Sequence, residues 1–169
     1  LYLETQKTNG EDYKVGGFRF ETRYRPFAYG TFLNPVLYVE YENLRPDHRF
    51  KMEVVGRTDR PERPGPEKAE HAVETKLILG HDLSRNFDVA FNWINEANLG
   101  DGHWEFGYAA GLNATIYRAS RSGNSGQGRS SLELRRLKIG AEMFGGLGDS
   151  TLGLTASPRT TQQYAGLNL

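Results

Sequence analysis

The sequence predicts an all-β protein, an antiparallel up-and-down meander of about eight strands that forms a transmembrane β-barrel or an incomplete part of one. Three observations carry this. Apolar and polar residues alternate with period two over long runs, the pattern of a strand with two unlike faces. No window keeps the 3.6-residue period and the caps of a helix. Hydrophobic residues make up only 37% of the chain, yet aromatics reach 12% and glycines number 20. That composition suits a wall that is polar on one side throughout, as in a barrel with a polar lumen. A disordered chain is also poor in apolar residues, but it lacks the aromatics.

In chain order, Leu1–Lys7 reads as a strand cut short. Phe18, Phe20, Thr22 and Tyr24 alternate with Arg19, Glu21, Arg23 and Arg25, and Leu37, Val39 and Tyr41 alternate with Tyr38, Glu40 and Glu42. Asn43 to Glu70 is a long connection with prolines at Pro61, Pro64 and Pro66. Inside it Phe50, Met52 and Val54 alternate with Lys51 and Glu53, so the hairpin is expected to extend beyond the barrel rim. Val73, Thr75, Leu77 and Leu79 alternate with Glu74, Lys76 and Ile78, and Leu83-Ser84-Arg85-Asn86 is a tight turn. Phe87, Val89, Phe91 and Trp93 then oppose Asp88, Ala90, Asn92 and Glu96. A second turn spans Asn98 to Gly102. From Trp104 to Ile116 the alternation is unbroken, far beyond the about five or six residues of a soluble strand and enough to cross a bilayer, which takes about 9–11. Arg118 to Ser131 is a Ser/Gly/Arg loop. Leu137, Ile139, Ala141 and Met143 alternate with Lys138, Gly140 and Glu142; Leu132 and Leu134 fall one register off, which places a bulge near Arg135–Arg136. Gln163–Leu169 is a last short strand. The tight turn at Ser84 puts the 43–70 connection outside by parity and the 118–131 loop on the periplasmic side. Residues 1–169 form one domain, without a boundary or a repeat.

If the apolar face meets lipid, Phe18, Phe20, Leu37, Val39, Leu77, Leu79, Val89, Phe91, Trp93, Phe106, Tyr108, Leu112 and Ile139 face outward. The lumen is then lined by Arg19, Glu21, Arg23, Arg25, Glu40, Glu42, Glu74, Lys76, Asp88, Asn92, Glu96, Glu105 and Glu142, joined by Asp82, Asn113 and Lys138. Unpaired charges in a narrow lumen are costly, so Arg19, Arg23 and Arg25 are expected to meet Glu40 and Glu42 across one hairpin. Such a lining serves either as an ion network that stiffens the interior or as a charged constriction that selects solutes. Tyr24, Phe27, Tyr29, Phe32, Phe87, Trp93, Trp104, Tyr117 and Phe144 are candidates for aromatic girdles at the headgroup level. The alternative is a soluble β-barrel or sandwich binding a small apolar ligand, with the same aromatic face buried inside.

No catalytic pattern appears. His48, His71, His81 and His103 stand in no H-x-x-x-H or H-E-x-x-H spacing, and no serine sits in a G-x-S-x-G elbow. The chain has no cysteine, which removes disulfides and thiol chemistry. The glycines at 100–102 and 145–148 lack phosphate-loop or dinucleotide spacing. The 21 basic residues balance the 21 acidic ones, which does not suggest a nucleic-acid partner. No apolar run reaches the roughly 18 residues of a membrane helix. Expected partners are outer-membrane lipid and a small solute; no enzyme activity, cofactor or metal site is expected.

The segment Glu74-Thr75-Lys76-Leu77-Ile78-Leu79-Gly80, the run Asn86 to Glu96 and the run Trp104 to Leu112 resemble a family of uncharacterised bacterial outer-membrane β-barrel proteins, porin- or transporter-like. Leu37 to Asn43 and Glu142 to Gly148 look like flanking strands of the same family. The resemblance covers residues 14–169 and rests on strand patterns, not on a chemical motif. It implies an outer-membrane barrel longer than this chain, with further strands after Leu169, and brings no catalytic residues. Complete barrels of this kind end in an aromatic residue; this sequence ends at Leu169, so a fragment is expected.

Overall fold

The computed structural model describes residues 1–7, 12–45, 70–118, 136–151, 153–155 and 161–168. They form nine strands: β1 (Tyr2–Gln6), β2 (Lys14–Tyr24), β3 (Val36–Leu44), β4 (Glu70–Asp82), β5 (Phe87–Asn98), β6 (Trp104–Arg118), β7 (Arg136–Asp149), β8 (Gly153–Leu154) and β9 (Gln163–Asn168). All pairs are antiparallel and follow chain order from β1 to β7, with β8 and β9 both on the far edge of β7. The antiparallel meander predicted from period-two alternation is therefore what forms, and no helix occurs among the described residues. The sheet is open. β1 pairs only with β2, and β9 only with β7, so the closed form of the expectation is corrected: the strands are a wall, not a complete ring. The physical reason is that a ring needs its first and last strands to share a ladder, and here each has a single neighbour.

Local chemistry sets the reversals. In the 83–86 turn the Ser84 hydroxyl oxygen accepts the N–H groups of Asn86 and Phe87, both at 3.2 Å, which satisfies donors that the ladder cannot reach. Between β5 and β6 the Asn98 side-chain oxygen accepts the Gly100 N–H at 2.8 Å, and Gly102 takes φ +70°, a conformation that only glycine adopts without strain. On the far edge of β7 the expected last strand forms as β9, and the short β8 was not foreseen. Two short strands share that edge: β8 pairs at Gly148–Asp149 and β9 at Gly140–Gly145.

The β6–β7 ladder shifts register twice, between Phe106 and Gly107 with the extra residue on β7, and between Thr115 and Tyr117 with the extra residue on β6. The sequence placed a bulge near Arg135–Arg136; Arg136 pairs regularly with Arg118, and Arg135, Leu132 and Leu134 lie outside the described residues. The alternating Phe50, Met52 and Val54 and most of the 118–131 loop also lie outside them. Arg25 is a further correction. β2 ends at Tyr24, so Arg25 leaves the ladder and its guanidinium stacks on Tyr29, 5.5 Å from the ring centre, rather than meeting Glu40 or Glu42.

Gly17 marks the tightest approach between strands. It is buried, and a Cβ there would collide with the backbone oxygen of Asn43 and touch Leu44. Gly17→Val is expected to cost about 2–4 kcal/mol by overpacking, read as a lower urea midpoint of the folded protein; an unchanged midpoint would contradict this register.

Candidate functional site

The ladder places every directly opposed pair on one face. The resulting sorting is complete over β2–β7. Phe18, Phe20, Leu37, Val39, Leu77, Leu79, Val89, Phe91, Trp93, Phe106, Tyr108, Leu112 and Ile139 share one face. Arg19, Glu21, Arg23, Glu40, Glu42, Glu74, Lys76, Asp88, Asn92, Glu96, Glu105 and Glu142 share the other. Two expected girdle aromatics are elsewhere: Trp93 is in mid-strand, and Phe144 lies on the polar face, stacked on Tyr164 at 5.1 Å.

Exposure runs against the usual order. On the polar face Glu40 is 4% exposed, Glu42 3% and Glu74 7%, whereas Phe20, Leu37, Val39, Leu77, Phe91, Leu112, Ile139 and Met143 are exposed by 37–56%. β3 shows it residue by residue, since Tyr38, Glu40, Glu42 and Leu44 are buried while Leu37 and Val39 are exposed.

Register creates a feature that no single strand contains. Glu21 opposes Glu40, Glu40 opposes Glu74, Glu74 opposes Glu96, Glu96 opposes Glu105 and Glu105 opposes Asp149. Six carboxylates thus stand in one row across six neighbouring strands. Like charges directly opposed destabilise a sheet, so the row needs compensation. Over β2–β4 it comes from the rows on either side. Arg19 bonds Glu4, and its Nη1 reaches Glu42 Oε1 at 2.7 Å and Glu40 Oε1 at 3.1 Å. Lys76 Nζ meets Glu74 at 2.7 Å, and Arg23 Nε meets Glu21 at 2.5 Å, along their own strands. Tyr38 fills the space between: its hydroxyl donates to Glu40 at 2.6 Å, and the Lys76 and Arg23 cations lie over its ring at 4.6 and 5.4 Å. The expected meeting of Arg23 with Glu40 and Glu42 is therefore not made; Arg23 is held by Glu21.

Over β5–β7 the neighbouring row is Ile94–Gly107–Gly146, which carries no charge. Here the base near the row is His103, whose Nε2 is 3.5 Å from Asp149 and 3.8 Å from Glu105. The Ser150 hydroxyl lies 3.3 Å from His103 Nδ1, so a serine, a histidine and two acids meet at this rim. The two turns that supply them are far apart in sequence, and no spacing signalled the cluster. The Ser150 N–H is spent on the Trp104 carbonyl, the Thr151 N–H on Asp149, and the His103 N–H on Asp101, so these backbone donors are not available to hold an oxyanion. The cluster ties the 98–103 turn to the 149–153 turn.

Elsewhere on the polar face Asp88 accepts from Lys138 at 2.5 Å and from Asn113 at 2.9 Å. Glu142 stands exposed between Gly111 and Gly166. Glu40, Glu42 and Glu74 bring carboxylate oxygens within 4.8 Å of one another, close enough for a cation, but Arg19 and Lys76 already occupy that position. Sequence reasoning placed Tyr38 on the face of Glu40 and Glu42 and missed Glu4 and Asp149 as members of the polar wall.

Polar atoms on the apolar face satisfy one another. Trp93 Nε1 donates to Asn95 Oδ1 at 2.8 Å, Asn95 Nδ2 donates to Thr75 at 3.3 Å, and the Tyr108 hydroxyl donates to Gln163 at 2.8 Å. The chain matches no protein family, no curated protein and no solved structure.

Arg19→Met removes the cation shared by Glu4, Glu40 and Glu42 and is expected to destabilise the fold by about 2–4 kcal/mol, because it strips a buried charge pair of one partner. Adding Glu40→Gln and Glu42→Gln should restore much of the loss in urea unfolding. A loss below about 0.5 kcal/mol, the scale of a surface pair, would place Arg19 outside the network.

Proposed function

We propose that this chain is wall from a porin-like β-barrel of the bacterial outer membrane, with the apolar face toward lipid and the charged face toward a polar interior that admits a small solute. The observation that carries this is the inverted burial. Large apolar side chains left exposed across six strands cost roughly 1.5–3 kcal/mol each in water relative to burial, and such a surface exceeds what a soluble monomer exposes. In a bilayer the same surface is the favourable one. The soluble alternative requires Phe87, Phe91 and Trp93 inside with Glu74, Lys76 and Asp88 in solvent. Glu74 is buried and Phe87 is 48% exposed, which favours the membrane reading. The satisfied Trp93–Asn95–Thr75 chain supports it too, since lipid offers no substitute hydrogen bonds. The resemblance in strand pattern points the same way.

The carboxylate row gives the interior its character. A line of six acids across β2–β7 favours cations over anions in such an interior, as acidic rings do in pores.

The reading is tested on the full-length protein. It should need detergent for extraction, migrate differently on gels before and after heating, and show Trp93 fluorescence quenched by brominated lipid. A protein that stays monomeric in buffer without detergent ends the proposal. Phe91→Arg should cost about 2–4 kcal/mol of folded stability in bilayers, whereas Glu105→Gln should cost far less. In a planar bilayer under a salt gradient, the reversal potential should report cation preference, and Glu96→Gln with Glu105→Gln should move it toward zero.

A further inference from the structure

We propose that one rim of the sheet is built to lie on an anionic lipid surface, its arginines taking the phosphate groups of the headgroups; this rests on the membrane reading above. The antiparallel register gathers four chain reversals or strand ends at this rim, with Tyr24 opposite Leu37, Val36 opposite Ile78, Asp82 opposite Asp88 and Arg118 opposite Arg136. Arg25, Arg85, Arg118 and Arg136 all fall here, and all four are exposed. None of them forms an ion pair among the described residues. Their fixed contacts are with neutral groups. Arg25 stacks on Tyr29, Arg118 Nη2 donates to the Arg85 carbonyl at 2.9 Å, and Arg136 Nη2 donates to the Thr115 hydroxyl at 3.1 Å. These contacts position the guanidinium groups and leave further N–H donors for an outside acceptor. Of the acids at this rim, Asp88 is taken by Lys138 and Asn113, and Asp82 is the other among the described residues.

A second, independent feature identifies the partner as a membrane and not a dissolved anion. Tyr24, Phe27, Tyr29, Phe32, Phe87 and Tyr117 crowd the same rim and are exposed by 47–80%. Amphipathic rings settle at the headgroup level of a bilayer, and a guanidinium fork matches the oxygens of a phosphate. A free phosphate uses the arginines but gives no role to the aromatic band. The opposite rim is mixed among the described residues: Asp101 and Asp149 lie beside His103 in its β5–β8 turns, while Lys7, Lys14, Arg45 and the exposed Tyr13 lie toward β1–β3. The chain as a whole is neutral, so the basic rim reflects where charge is placed and not how much there is.

The test uses the full-length protein folded into phosphatidylcholine vesicles with and without phosphatidylglycerol, unfolded with urea and read by heat-dependent gel migration. The anionic lipid should lower the unfolding constant by about fivefold per arginine, on the order of a hundredfold or more for the four. High salt should erase the difference through screening, a readout that needs no substitution. The variant Arg25→Gln, Arg85→Gln, Arg118→Gln, Arg136→Gln should lose the difference, and the four lysine replacements should keep most of it. Equal stability in both vesicles, a difference that survives the glutamine variant or high salt, or inorganic phosphate reproducing the effect in phosphatidylcholine would each overturn the inference. Insertion without lipid preference sinks this inference alone; failure to insert in either vesicle sinks the membrane reading with it.

Discussion

Cross-strand register is the constraint on which the rest of the molecule depends. Each strand alternates strictly, so a slip of one residue would exchange its two faces entirely. Five successive ladders keep the same choice from β2 to β7, and that agreement makes one face apolar and the other charged. The β6–β7 ladder shifts register twice, between Phe106 and Gly107 and between Thr115 and Tyr117, and both shifts leave the apolar and charged residues on their own faces. Gly17, beside the β1 irregularity, lets the backbone of β3 approach at the other margin.

The same register has a cost. Strands in a sheet lie about 4.8 Å apart, so the six carboxylates from Glu21 to Asp149 repel along the row. The molecule offsets this differently in its two halves. β2–β4 interleave the row with Arg19, Arg23, Lys76 and the hydroxyl and ring of Tyr38. β5–β7 place small or uncharged residues beside it and bring His103 in from the rim. One half is a packed ion network and the other a smoother wall.

Charge is also divided along the strands. The exposed arginines Arg25, Arg85, Arg118 and Arg136 gather at the 83–86 end, a placement that the balanced composition does not reveal.

Much of the fold was legible in the sequence because period two is a local property. Phe87–Trp93 and Trp104–Ile116 declared their faces without reference to any partner, and Ser84 and Asn98 declared their turns through side-chain oxygens that bond the backbone nearby. The membership of the polar face followed from the same rule. What the sequence by itself determined is therefore which residues share a face of each strand. Only the tertiary structure decided which of them meet: that Arg19 and not Arg25 serves Glu40 and Glu42, that Asp149 joins the row, that Ser150 reaches His103, and that two short strands share the far edge of β7. Those contacts depend on the stagger between strands far apart in the chain, and stagger is set by the sum of ladder bonds, turns and bulges, which no single segment encodes.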